Sequence, residues 1–382
     1  MPWKESSQMS SRLEFARLAT APDVNMQALC QSFGVSRKTG YKWRDLYLQH
    51  GVEGLEDRSR RPHSSPRRST DELEAAIVAL HDKHPCWGAR KLKALLPEKF
   101  GTPHPNTISA ILRRHGRQLV PYADVTNPAK GRFEHEAPNQ LWQMDFKGHF
   151  ALTDEKAGRC HPLTILDDHS RYSVCLTACK GEDGQTVKDV LTQTFRTYGM
   201  PERITCDNGT PWGTGGHGTL SRLEVWLIRL GIRVSHSTPY HPQTQGKAER
   251  FHRTLKRELL DRSGFTSISA CQEAFNRWRD QYNLIRPHEA LEQKPPATRY
   301  AQSARLFPAE LPPVEYDEGE TVRTVRRHGQ ISYKGRVYFV GEGLYEENVV
   351  IRPTENDGML SIVFCHKEVG QIDLTATKMA AR

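Results

Sequence analysis

Three acids stand where chemistry could use them: Asp145 in "LWQMDFKG", Asp207 closing "ITCDNG", and Glu249 in "HPQTQGKAERFHRTLKREL". Asp145 lies between Met144 and Phe146, in an alternating aromatic run that reads as a strand. A charged side chain there needs a partner or a metal. Asp207 ends a short strand at a turn, and Glu249 sits in the first turns of a helix. On that helix Ala248, Phe251, Leu255 and Leu259 recur at burying positions, while Glu249, Arg253 and Lys256 share the neighbouring stripe. Alone, Glu249 is most economically an ion-pair partner of Arg253, worth a few tenths of a kcal/mol. Joined to the two aspartates it becomes one leg of a hard-oxygen site suited to Mg²⁺. Two such ions, about 4 Å apart, serve an in-line phosphoryl displacement by activating the attacking oxygen and stabilising the leaving one. Mn²⁺ would be able to substitute. Asp145 is the best candidate to bridge both ions, and Arg253 and Lys256 then lie where the phosphates of the substrate would pass.

The elements that must position these acids read as a mixed layer. "NQLWQMDFKGHFAL" is strand-like, "CHPLTILDDHSRYSVCLTAC" gives two strands around a turn, and further strands and helices then alternate to about residue 286. Asp167 and Asp168 begin the strand–strand turn, where Asp is common, and read as turn residues. "YNLIRPHEAL", with Tyr282, Asn283, Arg286, Pro287 and His288, reads as fixing the last helix on the core. The Gly-rich stretch "GTPWGTGGHGTLSRLE" reads chiefly as a mobile loop, with a phosphate cradle of backbone N–H groups as the alternative.

Charge separates this layer from the part that precedes it. The chain has 382 residues and a net charge of +9, but residues 1–120 hold 20 Lys/Arg against 12 Asp/Glu, and the remainder 34 against 33. That is the footprint of a nucleic-acid-binding part attached to something else. Residues 10–50 give a helix, a break at Gly34 and a helix capped by Ser36 and crowded by Arg37, Lys38, Lys42 and Arg44. This is a helix-turn-helix pattern, whose second helix enters the major groove. "LEDRSRRPHSSPRRST", with Arg58, Arg60 and Arg61, cannot pack a core and suits an arm in a narrow minor groove. A second helical unit ends in a helix carrying Arg113 and Arg114. Its histidines and Cys86 lack zinc-finger spacing.

The eight cysteines are scattered and read as reduced, mostly buried thiols. No apolar run approaches a membrane span and the first residues lack an apolar signal core, so a cytoplasmic protein with no membrane partner is expected. From 319 several short strands separated by Gly, Asn and Asp turns suit a small β-barrel.

"WQMDFKG", "ITCDNG", "HPQTQGKAERFHRTLKREL" and "YNLIRPHEALEQKPPATRY" together resemble the successive signatures of DDE transposases of bacterial insertion sequences, whose core is similar to retroviral integrase. The resemblance covers about 137–303. It matches the family's three acids to Asp145, Asp207 and Glu249, and its later basic residue to Lys256. Forty-one residues separate Asp207 from Glu249, more than is usual in retroviral integrases. The resemblance implies a multidomain chain: helix-turn-helix units at 1–54 and 70–118, an Arg-rich linker at 55–69 and a linker at 119–136. An RNase H-like α/β core with a mixed sheet at 137–303, a Pro-rich linker at 304–318 and a small β-barrel at 319–382 complete it. It further implies binding to terminal inverted repeats, 3′-end cleavage and strand transfer on double-stranded DNA of element ends and target, and a homo-oligomer in the active complex. The bacterial cytoplasm is the implied location, in association with the nucleoid when bound to DNA. The competing readings are a catalytically silent DNA-binding regulator derived from a transposase and a plain RNase H-type nuclease.

Overall fold

The computed structural model describes residues 8–57, 68–117, 134–213, 219–236 and 246–375. The chain divides into two compact units, 1–69 and 70–382.

The first unit carries α1 (Gln8–Ala19), α2 (Met26–Ser32) and α3 (Arg37–His50). Ser36 caps α3 by accepting from the Thr39 N–H, and Gly34 takes the positive φ of the turn before it. Phe15, Met26 and Cys30 form the small core. Gly40 lets α3 approach it: a Cβ there would meet the Cys30 Sγ at 2.5 Å and Phe15 at 2.9 Å.

The second unit opens with α4 (Asp71–Lys83), α5 (Ala89–Ala94) and α6 (Pro105–Arg114), packed around Ile77, Trp87, Leu92, Ile108 and Leu112. This helical part is tied to the C-terminal half of the same unit. Arg257 donates to the Cys86 carbonyl at 2.7 Å, Arg262 approaches the Cys86 Sγ, and Gln281 contacts His84.

The central sheet runs β4–β3–β1–β5–β6, with the short β2 pairing with the start of β3. The strands are β1 (Trp142–Phe146), β2 (Phe150–Ala151), β3 (Arg159–Asp167), β4 (Ser173–Cys179), β5 (Arg203–Cys206) and β6 (Arg233–His236). β1 pairs antiparallel with β3 and parallel with β5, and β5 pairs parallel with β6. One face packs on α7 (Gly184–Tyr198) and α8 (Arg222–Arg229) through Trp142, Met144, Leu191 and Trp226. The other packs on α9 (Gly246–Glu258) and α10 (Ile268–Leu284) through Leu166, Leu176, Phe251 and Trp278. The expected mixed α/β layer is thus present, with its two parallel junctions beside β5.

The C-terminal part corrects one expectation. β7 (Thr321–Thr324), β10 (Asn348–Pro353), β11 (Met359–Phe364) and β12 (Lys367–Asp373) form an open antiparallel sheet in the order β12–β11–β10–β7. β8 (Gln330–Tyr333) and β9 (Arg336–Phe339) make a separate hairpin. Among the described residues the sheet does not close into a barrel. Its apolar side is covered instead by Leu220, Val225 and Ile228 at α8, so burial is reached without closure. Gly343 permits that docking, since a Cβ there would meet the Leu220 carbonyl at 2.2 Å. The Pro-rich stretch before the sheet also starts on the core: Met200 donates to the Arg305 carbonyl at 2.7 Å, and Phe307 packs near Phe195 and Trp226. No helix among the described residues is long and apolar enough to cross a membrane.

Candidate active site

The register of the sheet assembles the two aspartates. Trp142 lies beside Ile204 and Gln143 beside Thr205 on parallel strands, so both chains run out at the same edge, Asp145 near the end of β1 and Asp207 just past β5. Alternation sends Met144 and Phe146 into the core toward α7 and α8, and Asp145 to the face that carries α9. The Asp145 carboxyl is mostly buried, with its side chain 22% exposed. Burial, and then the negative charge of Asp207, push it up to about 7.

Two histidines that the sequence pattern does not mark out shape this site. The Thr164 hydroxyl donates to the Asp145 carbonyl at 2.9 Å and lies 2.7 Å from the His252 Nε2. Its single proton is thereby spent, so Nε2 donates to it and the His252 Nδ1 turns a lone pair toward the Asp145 Oδ2, 3.8 Å away. Burial, aided by the charge of Lys147, lowers His252 to about 4, so this contact is not an ion pair, and among the described residues only the Phe146 N–H and the Lys147 charge offset the Asp145 carboxylate. His236, at the end of β6, has one ring nitrogen 2.7 Å from the Asp207 carbonyl and the other 2.9 Å from the Glu224 carboxylate. Both partners accept, so the ring serves as an imidazolium. The Glu224 hydrogen bond is the chief cause of its raised pKa. Glu224 also completes the capping box of α8 with Ser221. The turn at Asp207 is thus fastened to the start of α8.

Glu249 lies in the first turn of α9, exposed, three residues before His252. Among the described residues it makes no recorded hydrogen bond or ion pair with either aspartate. Its helix is nevertheless fixed at both ends. Lys247 pairs with Asp168, the Ala248 N–H donates to the Gln143 Oε1 at 3.2 Å, and Glu258 pairs with Arg286 at 2.9 Å. Asp168 is more than a turn residue. Burial opposes its ionisation, but Lys247, the His135 N–H and the His135 ring outweigh it and hold the carboxyl below its usual range. The Gln143 side chain also donates to it, at 3.0 Å. Asp167, fully buried, accepts from the N–H groups of Asn139 and Ser170 at 2.7 Å each. The "YNLIRPHEAL" residues serve packing: Asn283 exchanges two hydrogen bonds with the Ser173 backbone, and Tyr282 packs edge-on to Phe251 and His288.

The basic candidates divide. Lys256 and Arg253 are exposed on α9, and Lys256 lines a cleft with Lys147, His149 and Phe265. Lys147 was not singled out by sequence, although it follows Asp145 by two residues. In the first unit Arg37, Lys38 and Lys42 are exposed, whereas Arg44 pairs with Asp45 and lies over Tyr41. Arg113 is exposed, while Arg114 is engaged with the buried Glu74. Arg58, Arg60 and Arg61 lie outside the described residues, as do the 214–218 stretch and the loop at 237–245.

Among the described residues the ligand atoms of Asp145, Asp207 and Glu249 do not converge within 4.8 Å of one another, but the carboxylate oxygen that all three offer is the donor type that fits a hard divalent cation. The poorly compensated charge at Asp145 gives such an ion a reason to bind.

Comparison with known proteins bears on this arrangement. Integrase core domain families match residues 135–242 and 230–296. A helix-turn-helix domain family matches 11–63, a homeodomain-like family 39–112, and the C-terminal domain of IS481 family transposases 320–380. An uncharacterised 39.2 kDa protein of insertion element IS476 of Xanthomonas euvesicatoria is 28% identical over 61% of this chain and 65% of its own length, so the chain spans just under two thirds of that relative. An uncharacterised protein of insertion element IS407 of Burkholderia multivorans is 27% identical over 61% of this chain and 82% of its own length. The transposase for insertion sequence element IS904 of Lactococcus lactis is 29% identical over 43% and 62%. Among solved structures, one of a simian T-cell lymphotropic virus intasome aligns over 75% of this chain and 95% of that one at 17% identity and a TM-score of 0.38, too low to add weight. Integrase core and IS481-type C-terminal matches in one chain, together with relatives carried by insertion elements, support a DDE transposase of insertion sequences.

Proposed function

We propose that this transposase binds the terminal inverted repeats of its element, cleaves the 3′ ends and joins them to target DNA. What carries the reading is the pairing of Asp145 and Asp207 at one sheet edge, where burial and then the charge of Asp207 raise the Asp145 pKa to about 7. Asp145, Asp207 and Glu249 would hold Mg²⁺, with Mn²⁺ able to replace it. Bound there, the metal would supply charge stabilisation for attacking and leaving oxygens.

The chain's own residues do the rest. Asp145 stays fixed because Thr164 holds its carbonyl, and Asp207 because His236 holds its own. α9, which would carry Glu249 to the metal, is anchored through Lys247 and Ala248 to Asp168 and Gln143. Lys147, Arg253 and Lys256 offer cations to the phosphates on either side of the scissile bond. In the first step water attacks the phosphodiester and frees a 3′-OH. In the second that hydroxyl attacks a target phosphodiester and displaces a new 3′-OH. One bond is broken for each formed, so no external energy source is needed. Two ends must be joined together, which calls for an oligomer in the active complex. Bacterial cytoplasm, on the nucleoid when DNA-bound, is the setting this reading requires.

The test is a strand-transfer assay on DNA carrying the element's ends, with Mg²⁺ or Mn²⁺. Wild type should join ends, and Asp145→Asn should not. A wild type without joining activity under both ions, or an active Asp145→Asn, would sink the proposal.

A further inference from the structure

We propose that His149, His161 and Glu182 form a second metal site, taking a borderline divalent ion of the Zn²⁺ class and separate from the carboxylate set. The three side chains come from three segments: the turn between β1 and β2, the start of β3, and the loop leading into α7. One ligand atom from each lies within 4.8 Å of the other two. The His161 Nδ1 is 2.8 Å from the Glu182 Oε1, and the His149 and His161 ring centroids are 5.1 Å apart. Ligands at about 2.0–2.2 Å from a tetrahedral ion stand roughly 3.4 Å from one another, so modest side-chain rotation closes the set.

The backbone around it is well fixed. His161 lies opposite Cys179 in the β3–β4 ladder, the Lys147 N–H donates to the Pro162 carbonyl at 2.9 Å, and Asp183 caps α7 directly after Glu182. His149 and Glu182 are exposed at their outer sides, so an ion has a path in and room for a water as fourth ligand. Two imidazoles and one carboxylate suit Zn²⁺, Co²⁺ or Ni²⁺, whereas three carboxylates suit Mg²⁺. The donor chemistry therefore sorts two different ions into neighbouring places. Neighbouring they are, since the charge of Glu182 is felt at Asp145. A bound ion would clasp the ends of β1, β3 and β4 beside the catalytic edge.

Cobalt(II) reports such a site by its visible absorption. The full chain, in excess Mg²⁺, should take up one equivalent of Co²⁺ with a low-symmetry visible band, and Zn²⁺ should displace it. Glu182→Gln and His149→Ala should each weaken Co²⁺ binding about tenfold or more, while Asp207→Asn should leave it unchanged. Both substituted ligands are exposed at least in part, so folding is not at stake. The proposal falls if no stoichiometric Co²⁺ binds, if the band survives both substitutions, or if Asp207→Asn abolishes it. Because the readout is optical, the outcome does not depend on strand-transfer activity.

Discussion

Two pairs of aspartates lie at opposite ends of the same short sheet, and they are built in opposite ways. Asp167 and Asp168 are sealed from solvent and answered by donors: backbone N–H groups for the first, Lys247, Gln143 and His135 for the second. Asp145 is mostly buried too, yet the ring beside it is neutral and the charge that weighs most on it is another carboxylate. Burial alone therefore does not set these acids apart, since it raises the pKa of Asp167 as well as that of Asp145. What separates them is which neighbours each carboxyl meets: side-chain and backbone donors at Asp168, a second carboxylate at Asp145. The donors around Asp167 and Asp168 hold elements together, whereas the charge of Asp207 adds to the burial that raises Asp145.

That contrast can be broken by substitution. Replacing Asp145 or Asp207 by Asn should lower end cleavage by on the order of 10³-fold or more, since several kcal/mol of transition-state stabilisation go with the cation. Gel assays on repeat DNA would measure it, and a modest loss would argue that the edge is not catalytic. Asp168→Ala should act on stability instead. It leaves the Lys247 ammonium half-buried and unpaired, at a cost of about 3–5 kcal/mol in chemical denaturation.

Stability against pH sharpens the same comparison. The folded Asp145 pKa, about 7, lies above its ordinary value of 3.8, so the native state holds the proton more tightly than the unfolded chain. Its contribution is full below pH 4 and is lost as pH rises through 7, by up to about 4 kcal/mol in metal-free protein. Asp145→Asn should remove that dependence and be the more stable form at pH 8. Urea melts at pH 4 and pH 8 in chelator would test it, and parallel curves for both proteins would contradict the assignment.

The two helical parts offer a smaller contrast. Removing residues 1–69 should leave the second unit folded, with an unchanged thermal midpoint and no end-specific binding. Removing 1–117 should lower the midpoint, because it strips Cys86 and His84 from their contacts with Arg257, Arg262 and Gln281. Last in size, Lys256→Ala should reduce the salt slope of DNA binding by about one, as expected for one lost phosphate contact. An unchanged slope would take Lys256 off the DNA path.

Much of this was legible along the chain. Local chemistry fixes Gly34 and Ser36 at the start of α3, the Thr70 cap of α4 and the burying stripe Ala248–Phe251–Leu255 of α9. Each depends on neighbours a few residues away, so spacing alone reveals it. The two strand-borne acids were readable for the same reason: an Asp among Trp, Met and Phe, and another at the end of an apolar run, are anomalies of local pattern. The short strands of the C-terminal part were readable, but not their arrangement. A sheet closes only if nothing else covers its apolar side, and α8 covers it here, about 100 residues earlier in the chain.

By itself, then, the sequence determined which elements form and which acids are out of keeping with their surroundings. Tertiary structure alone decided which charges are answered. It brought Lys247 to Asp168 across 79 residues, His236 to the Asp207 carbonyl across 29, and Arg286 to Glu258 across 28, while leaving Asp145 with Asp207. Electrostatic energy depends on separation in space and on local solvent, and neither is a function of distance along the chain.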